Sequence, residues 1–187
     1  EKHFSSEVLA GQRLMVGFDG PELSPELERY MESFKIGGVI LFSGNIETPV
    51  QLKELCTAIR EKAQSLNIPP PFIAIDQEGG MVARLKPPFT VFPGNPAMKC
   101  VMDAELFADV TSSELSRIGV NMNMAPVLDV APEGFESAME GRMFGAEPLW
   151  TAELGSAVAE RLQIGGVMAV AKHFPGIGRT TLDSHLD

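Results

Sequence analysis

Toward its C-terminal end the chain sets titratable side chains on either side of a Gly/Pro-rich loop, Lys172-His173 before it and Asp183-Ser184-His185 after it. One residue separates Asp183 from His185. That spacing lets a carboxylate accept a hydrogen bond from one imidazole nitrogen and leaves the other free for proton transfer. An imidazole of ordinary pKa, about 6.5, suits acid–base work near neutrality. A solvated loop with a stray histidine fits the same residues. His173, Asp183 and His185 also make a conceivable metal set, but their spacing matches no ligand pattern with a mechanical basis. Lys172 ends an apolar run, Val167 to Ala171, and a Lys there must find a carboxylate or a polar ligand. Strand alternation would send Lys172 and His173 to opposite faces.

Three earlier segments carry similar groups. Asp76 and Glu78 stand in Ile75-Asp76-Gln77-Glu78-Gly79-Gly80, directly after an apolar run. A carboxylate there can accept paired hydrogen bonds from sugar hydroxyls, bind a metal or act as a base, or it can simply support the Gly-Gly bend. Arg84 stands in an apolar stretch and needs a carboxylate or polar-ligand partner; a salt bridge to Asp76 or Glu78 would satisfy it. Arg142 is flanked by glycines in Gly141-Arg142-Met143-Phe144-Gly145, which let backbone approach closely. Asp129, at the end of a predicted strand, reads as a loop-anchoring carboxylate.

The elements that must position these residues alternate. Strands are expected at Leu14 to Phe18, Val39 to Phe42, Phe72 to Ile75, Met122 to Val130 (interrupted by Pro126) and Val167 to Ala171. Ser24-Pro25 and Thr48-Pro49 read as helix starts, with a capping hydroxyl followed by proline. Leu52, Leu55, Ile59, Ala63 and Leu66 make a helical stripe. Gly37-Gly38 and Gly165-Gly166 are expected helix ends. Further helices are expected from about Asp103 to Ile118 and after Pro148. The segment from Gln77 to Pro96 reads as irregular. Five strand–helix alternations predict an α/β fold with a parallel sheet. The choice lies between an open doubly wound sheet and part of a (β/α)8 barrel. The irregular insertions follow strand carboxyl ends, where barrel active sites lie, and no dinucleotide fingerprint follows the first strand.

Composition narrows the function. The net charge of −10 over 187 residues, without a basic stripe, argues against nucleic acid. No apolar run reaches the roughly 20 residues of a membrane span. Cys56 and Cys100 read as small buried apolar residues rather than a disulfide or metal pair. Glu1 to Ser5 carries no signal-peptide pattern.

Taken together, Ile75-Asp76-Gln77-Glu78-Gly79-Gly80 with Arg84, Gly141-Arg142-Met143-Phe144-Gly145, and Lys172-His173-Phe174-Pro175-Gly176 through Asp183-Ser184-His185 resemble glycoside hydrolase family 3, in its bacterial β-N-acetylglucosaminidase (β-hexosaminidase) branch. The resemblance implies a (β/α)8 TIM-type barrel, of which residues 1–187 would hold about the first five βα units, a catalytic domain incomplete at its C-terminus. It implies a retaining exo-enzyme that hydrolyses terminal β-linked N-acetylglucosamine in peptidoglycan fragments or related glycosides. His185 and Asp183 map onto the acid/base dyad. Asp76, Arg84, Arg142, Lys172 and His173 map onto the sugar pocket. The nucleophilic Asp would lie beyond Asp187, so the 187 residues alone should be inactive. No metal or cofactor is implied, and the family's recycling role implies a cytoplasmic location. A phosphorylase of the same family and a non-catalytic sugar-binding half-barrel are the alternatives. One departure stands out: the family loop commonly reads Pro-Gly-His-Gly-Asp-Thr, and here Ile177 and Arg179 replace its His and Asp.

Overall fold

In the computed structural model residues 4–182 are described, and they form two units: residues 4–75 with 115–122, and residues 76–114 with 123–182. The dyad expected at Asp183 and His185 lies outside the described residues.

The first unit alternates strand and helix: α1 (Ser6–Gly11), β1 (Met15–Val16), α2 (Pro25–Phe34), β2 (Gly38–Leu41), α3 (Pro49–Ser65) and β3 (Phe72–Ile75). The two predicted helix starts are built as expected. Ser24 Oγ accepts from the Leu27 amide and Thr48 Oγ1 from the Gln51 amide, each with proline at the first helical position. Leu52, Leu55, Cys56, Ile59 and Ala63 bury one face of α3. β1, β2 and β3 pair in parallel, Met15 opposite Gly38 and Gly38 to Leu41 opposite Phe72 to Ile75. β2 and β3 are nearly continuous apolar runs, the pattern of strands covered on both faces. Asn121 ties the next strand to this sheet: its Oδ1 accepts from the Ile73 amide at 2.7 Å.

In the second unit a hairpin of β4 (Gln77–Gly79) and β5 (Val82–Ala83) is followed by α4 (Val101–Ile118, whose last turn counts with the first unit), α5 (Pro148–Ile164) and β7 (Met168–Ala169). β6 (Met122–Asn123) straddles the division, Met122 counting with the first unit and Asn123 with the second. The core of this unit gathers Met98, Ala104, Phe107, Ala108, Phe144, Leu154, Val158 and Leu162. Phe92 meets Phe107 edge-on at 5.2 Å, a favoured aromatic geometry.

The α/β alternation and parallel pairing match the sequence expectation, with four differences of detail. The strand expected over 122–130 is broken around Pro126 as foreseen, since proline has no N–H to give to a ladder, but it already stops at Asn123, and beyond the proline only Val127 bridges to Lys172. The segment expected to be irregular contains the β4–β5 hairpin. Helix α2 ends at Phe34, with Lys35 in the left-handed region at φ 53°, ahead of Gly37-Gly38. α1 had no counterpart in the sequence reading. Cys56 is buried, and burial pushes its thiol up to about 11, whereas Cys100 is only half-buried. No helix among the described residues is long and apolar enough to cross a membrane.

Candidate active site

The site is built in the second unit from three segments. The first is the β4–β5 hairpin. Gln77 pairs with Ala83 and Gly79 with Val82, so Glu78 is the extra residue of a bulge. Bulges re-aim side chains and are frequent beside active sites. Gly80 closes the turn with φ +61°, and a Cβ there would lie 2.9 Å from the Pro93 carbonyl oxygen, so only glycine fits without displacement. Asn123, fully buried, holds Gln77 from both sides. Its Oδ1 accepts from the Gln77 amide and its Nδ2 donates to the Gln77 carbonyl, each at 3.0 Å. Asp76 and Glu78, on either side of Gln77, are thereby fixed.

The second segment is the turn at 139–142. The Arg142 amide donates to the Met139 carbonyl at 3.0 Å, and Asn95 Nδ2 donates to the Arg142 carbonyl at 2.9 Å. The third is the chain after β7. The Lys172 amide donates to the Pro126 carbonyl at 3.0 Å and the Lys172 carbonyl accepts from Leu128 at 2.6 Å, which aligns Lys172 and His173 beside the segment ending in Asp129.

These segments bring five predicted residues, Asp76, Arg84, Arg142, Lys172 and His173, into one chain of alternating charge. Arg84 Nη2 lies 3.2 Å from Asp76 Oδ2, and Lys172 Nζ lies 2.9 Å from Asp76 Oδ1 and 2.6 Å from Glu78 Oε1. Arg142 donates to Glu78 through Nε at 3.0 Å and Nη2 at 2.8 Å. Arg142 Nη2 is also 3.4 Å from His173 Nε2, and His173 Nδ1 is 2.6 Å from Asp129 Oδ2. Burial by itself would raise the Asp76 carboxyl, but the hydrogen bonds and charges of Lys172 and Arg84 leave it below the ordinary carboxylate range. Asp129 behaves alike: burial pushes up, and the hydrogen bonds from His173 and the Ile177 amide more than offset it. Both are therefore ionised at neutral pH. The salt bridge expected for Arg84 goes to Asp76. The loop-anchoring reading of Asp129 is also realised, since its Oδ1 accepts from the amides of Ile177 at 2.6 Å and Gly178 at 3.1 Å.

Glu78 was singled out in the sequence but not counted among the pocket residues, yet it is 2% exposed and joins two cations. Asn123, Asn95 and Ser137 carried no signal beyond being polar residues in apolar surroundings, which must find partners when buried. Beside the network lies a cleft of about 260 Å³ lined by Leu128, Asp129, Lys172, His173, Phe174 and Gly176 among others.

This arrangement of carboxylates and cations can grip a polyhydroxylated ligand through directed, charge-assisted hydrogen bonds. Residues 7–187 match the model of the glycosyl hydrolase family 3 N terminal domain. The chain belongs to glycosyl hydrolase family 3. Within this family it is 37% identical over 183 residues to a beta-hexosaminidase of Alkalilimnicola ehrlichii, covering 93% of this chain and 51% of that protein. A glycoside hydrolase family 3 beta-N-acetylglucosaminidase from Paenibacillus sp. superposes with a TM-score of 0.94 at 36% identity, covering 98% of this chain and 35% of that one. NagZ from Neisseria gonorrhoeae in complex with N-trifluoroacetyl-D-glucosamine superposes at 0.83 and 31% identity, covering 93% and 53%. The chain thus spans about half or less of the length of these family 3 relatives.

Proposed function

We propose that this chain carries the sugar-binding and acid/base side of a retaining exo-β-N-acetylglucosaminidase, and that the nucleophilic Asp is supplied from outside residues 1–187. On this reading residues 1–187 are the first five βα units of a (β/α)8 catalytic domain. The observation that carries the proposal is the alternating series Arg84–Asp76–Lys172–Glu78–Arg142, with His173 at its end. The similarity to a Neisseria NagZ crystallised with N-trifluoroacetyl-D-glucosamine supports it.

In this mechanism the ionised Asp76 accepts hydroxyl hydrogens of a terminal N-acetylglucosamine, while Arg84, Lys172 and Arg142 donate to its oxygens. The neighbouring cations hold Asp76 in its charged form without occupying all its lone pairs. A sugar so fixed presents its anomeric carbon in one orientation, which is worth several orders of magnitude in rate. A carboxylate then attacks that carbon as the glycosidic bond breaks, and His185 gives its proton to the leaving oxygen. In the second half His185 takes a proton from the water that attacks the glycosyl-enzyme, and the carboxylate leaves. Asp183 orients the imidazole and stabilises its protonated form, which is present before the first step and restored by the second; between the two steps the ring is neutral and able to act as the base.

Water is favoured over phosphate as the acceptor. The cations Arg84, Lys172 and Arg142 are matched by Asp76, Glu78 and Asp129, so the cluster has no surplus positive charge to draw an anion. Terminal β-linked N-acetylglucosamine in peptidoglycan fragments or related glycosides is the proposed substrate, and the cytoplasm the proposed location.

The test is hydrolysis of 4-nitrophenyl N-acetyl-β-glucosaminide by the full-length protein, with products identified with and without inorganic phosphate. Free N-acetylglucosamine in both conditions is expected. A sugar 1-phosphate that appears only with phosphate would replace hydrolysis by phosphorolysis, and no release of 4-nitrophenol would sink the glycosidase reading.

A further inference from the structure

The Asp129 carboxylate is fully buried and every contact it makes serves the Lys172–Gly178 segment. Oδ2 accepts from the His173 amide at 3.2 Å and lies 2.6 Å from His173 Nδ1; Oδ1 accepts from the amides of Ile177 and Gly178. The ring's other nitrogen, Nε2, lies 3.4 Å from Arg142 Nη2. A guanidinium can only donate. Nε2 is therefore the acceptor, and the proton sits on Nδ1 and points at Asp129. A carboxylate partner on one nitrogen sets the role of the other.

Two further ties hold the same loop. Ser137 Oγ donates to the Gly178 carbonyl at 2.7 Å, and the Ala138 amide donates to the Thr180 carbonyl at 2.8 Å. Loop residues Ile177, Gly178 and Thr180 are thus stitched to the 129–138 segment, with Asp129 making two of the four bonds.

We propose that Asp129 is a positioning residue: it keeps His173 Nε2 as a hydrogen-bond acceptor in the sugar site, and it fixes the base of the loop leading to Asp183 and His185. This rests on the glycosidase reading above. Asp129 touches neither substrate nor reacting atoms on this view, and acts through His173 and the loop.

Asp129→Asn separates the two roles. The Asn oxygen can still accept from Ile177 and Gly178, but its NH₂ now faces His173 Nδ1, to which it donates, and the weaker bond from the His173 amide is lost. The ring must then carry its proton on Nε2, where it meets the Arg142 donor. Nitrogen-15 spectra of the full-length protein, with His173 assigned by its loss in His173→Gln, report the tautomer directly. The wild type is expected to show protonated Nδ1 and bare Nε2, and Asp129→Asn the reverse. In 4-nitrophenyl N-acetyl-β-glucosaminide hydrolysis Asp129→Asn should lower kcat/KM on the order of 10–10²-fold, as an unmade hydrogen bond at a buried polar group does. The double variant with His173→Gln should fall within about twofold of His173→Gln alone.

A wild-type His173 with its proton on Nε2 would overturn the proposal, and needs no variant to fold. So would an unchanged tautomer in Asp129→Asn, or losses that simply multiply in the double variant, as a purely structural role predicts. Inactivity of the wild type would count against the glycosidase reading instead, because the spectra judge the Asp129–His173 pair without turnover.

Discussion

Glu78 holds Arg142 through both carboxylate oxygens, Oε2 to Nε at 3.0 Å and Oε1 to Nη2 at 2.8 Å. Lys172 Nζ shares Oε1 at 2.6 Å. One nearly inaccessible carboxylate therefore keeps two cations apart. Substitution by Gln retains shape and removes charge, leaving Lys172 and Arg142 to face each other across a neutral amide. Breaking a fully buried pair this way costs about 3–5 kcal/mol. Both cations are 13–14% exposed, so partial screening lowers the expected loss for Glu78→Gln to about 2–4 kcal/mol. Urea unfolding followed by circular dichroism measures it as a shift in midpoint at constant slope. An unchanged midpoint would mean that the bidentate pair contributes nothing to stability.

Acid should loosen the same site. Asp76 and Asp129 both sit below the ordinary carboxylate value. A group whose folded-state pKa is depressed stabilises the fold fully above its unfolded pKa, about 4 for Asp, and loses that contribution as the pH falls through the folded value. The thermal midpoint of the protein should therefore hold from pH 7 to about 5 and drop steeply below about 4. Asp76→Asn should start lower and fall less steeply over the acid range. A wild-type midpoint that stays level down to pH 2.5 would contradict the pairing.

Much of this was legible in the chain because local chemistry dictated it. Ser24-Pro25 and Thr48-Pro49 each satisfy an orphan helix amide, and the stripe from Leu52 to Ala63 faces a core. Phe72 to Ile75 is bounded by prolines on one side and Asp76 on the other, and forms β3 over those four residues. Asp76, Lys172 and His173 were legible as polar groups at strand ends, Arg84 as a cation in an apolar stretch in need of a partner, and Arg142 as a glycine-flanked loop residue; their grouping into one pocket came from the family resemblance. Less visible was their pairing. Arg142 lies 64 residues from Glu78 and Lys172 lies 96 from Asp76, distances over which periodicity carries no information. The β4–β5 hairpin escaped notice because two- and three-residue strands have no period to detect and depend on Gly79-Gly80 and a bulge. Ile177 in place of the family's loop His raised a question that geometry answers in part. Asp129 is met there by the backbone amides of residues 177 and 178, so a change of side chain at 177 leaves those bonds available.

Gly178 tests how tightly that loop is seated. A Cβ at this position would run into the Val130 carbonyl oxygen and lie 2.8 Å from the Val130 nitrogen. Backbone cannot swing aside as a side chain can. Gly178→Ala should push the loop off Asp129 and Ser137 and cost about 1–3 kcal/mol, the range for overpacking, with activity falling in parallel. Gly44→Ala is the control, since a Cβ there meets nothing within 4 Å. Equal melting temperatures for the two variants would show that the loop yields freely.

The proposed role of His185 predicts a dependence on the leaving group. If it protonates the departing oxygen, its loss matters most when the leaving alcohol is poor and needs that proton. His185→Ala should reduce turnover of a natural disaccharide by about 10²–10⁴-fold, the usual yield of general acid catalysis. With 4-nitrophenolate, stable as an anion, the first step should be much less impaired, and the penalty should move to hydrolysis of the glycosyl-enzyme, where the base is needed. A burst of 4-nitrophenol followed by slow steady turnover is the expected trace, and azide, which requires no deprotonation, should speed the slow phase. Equal losses for poor and activated leaving groups, with no burst and no azide rescue, would remove His185 from both proton transfers.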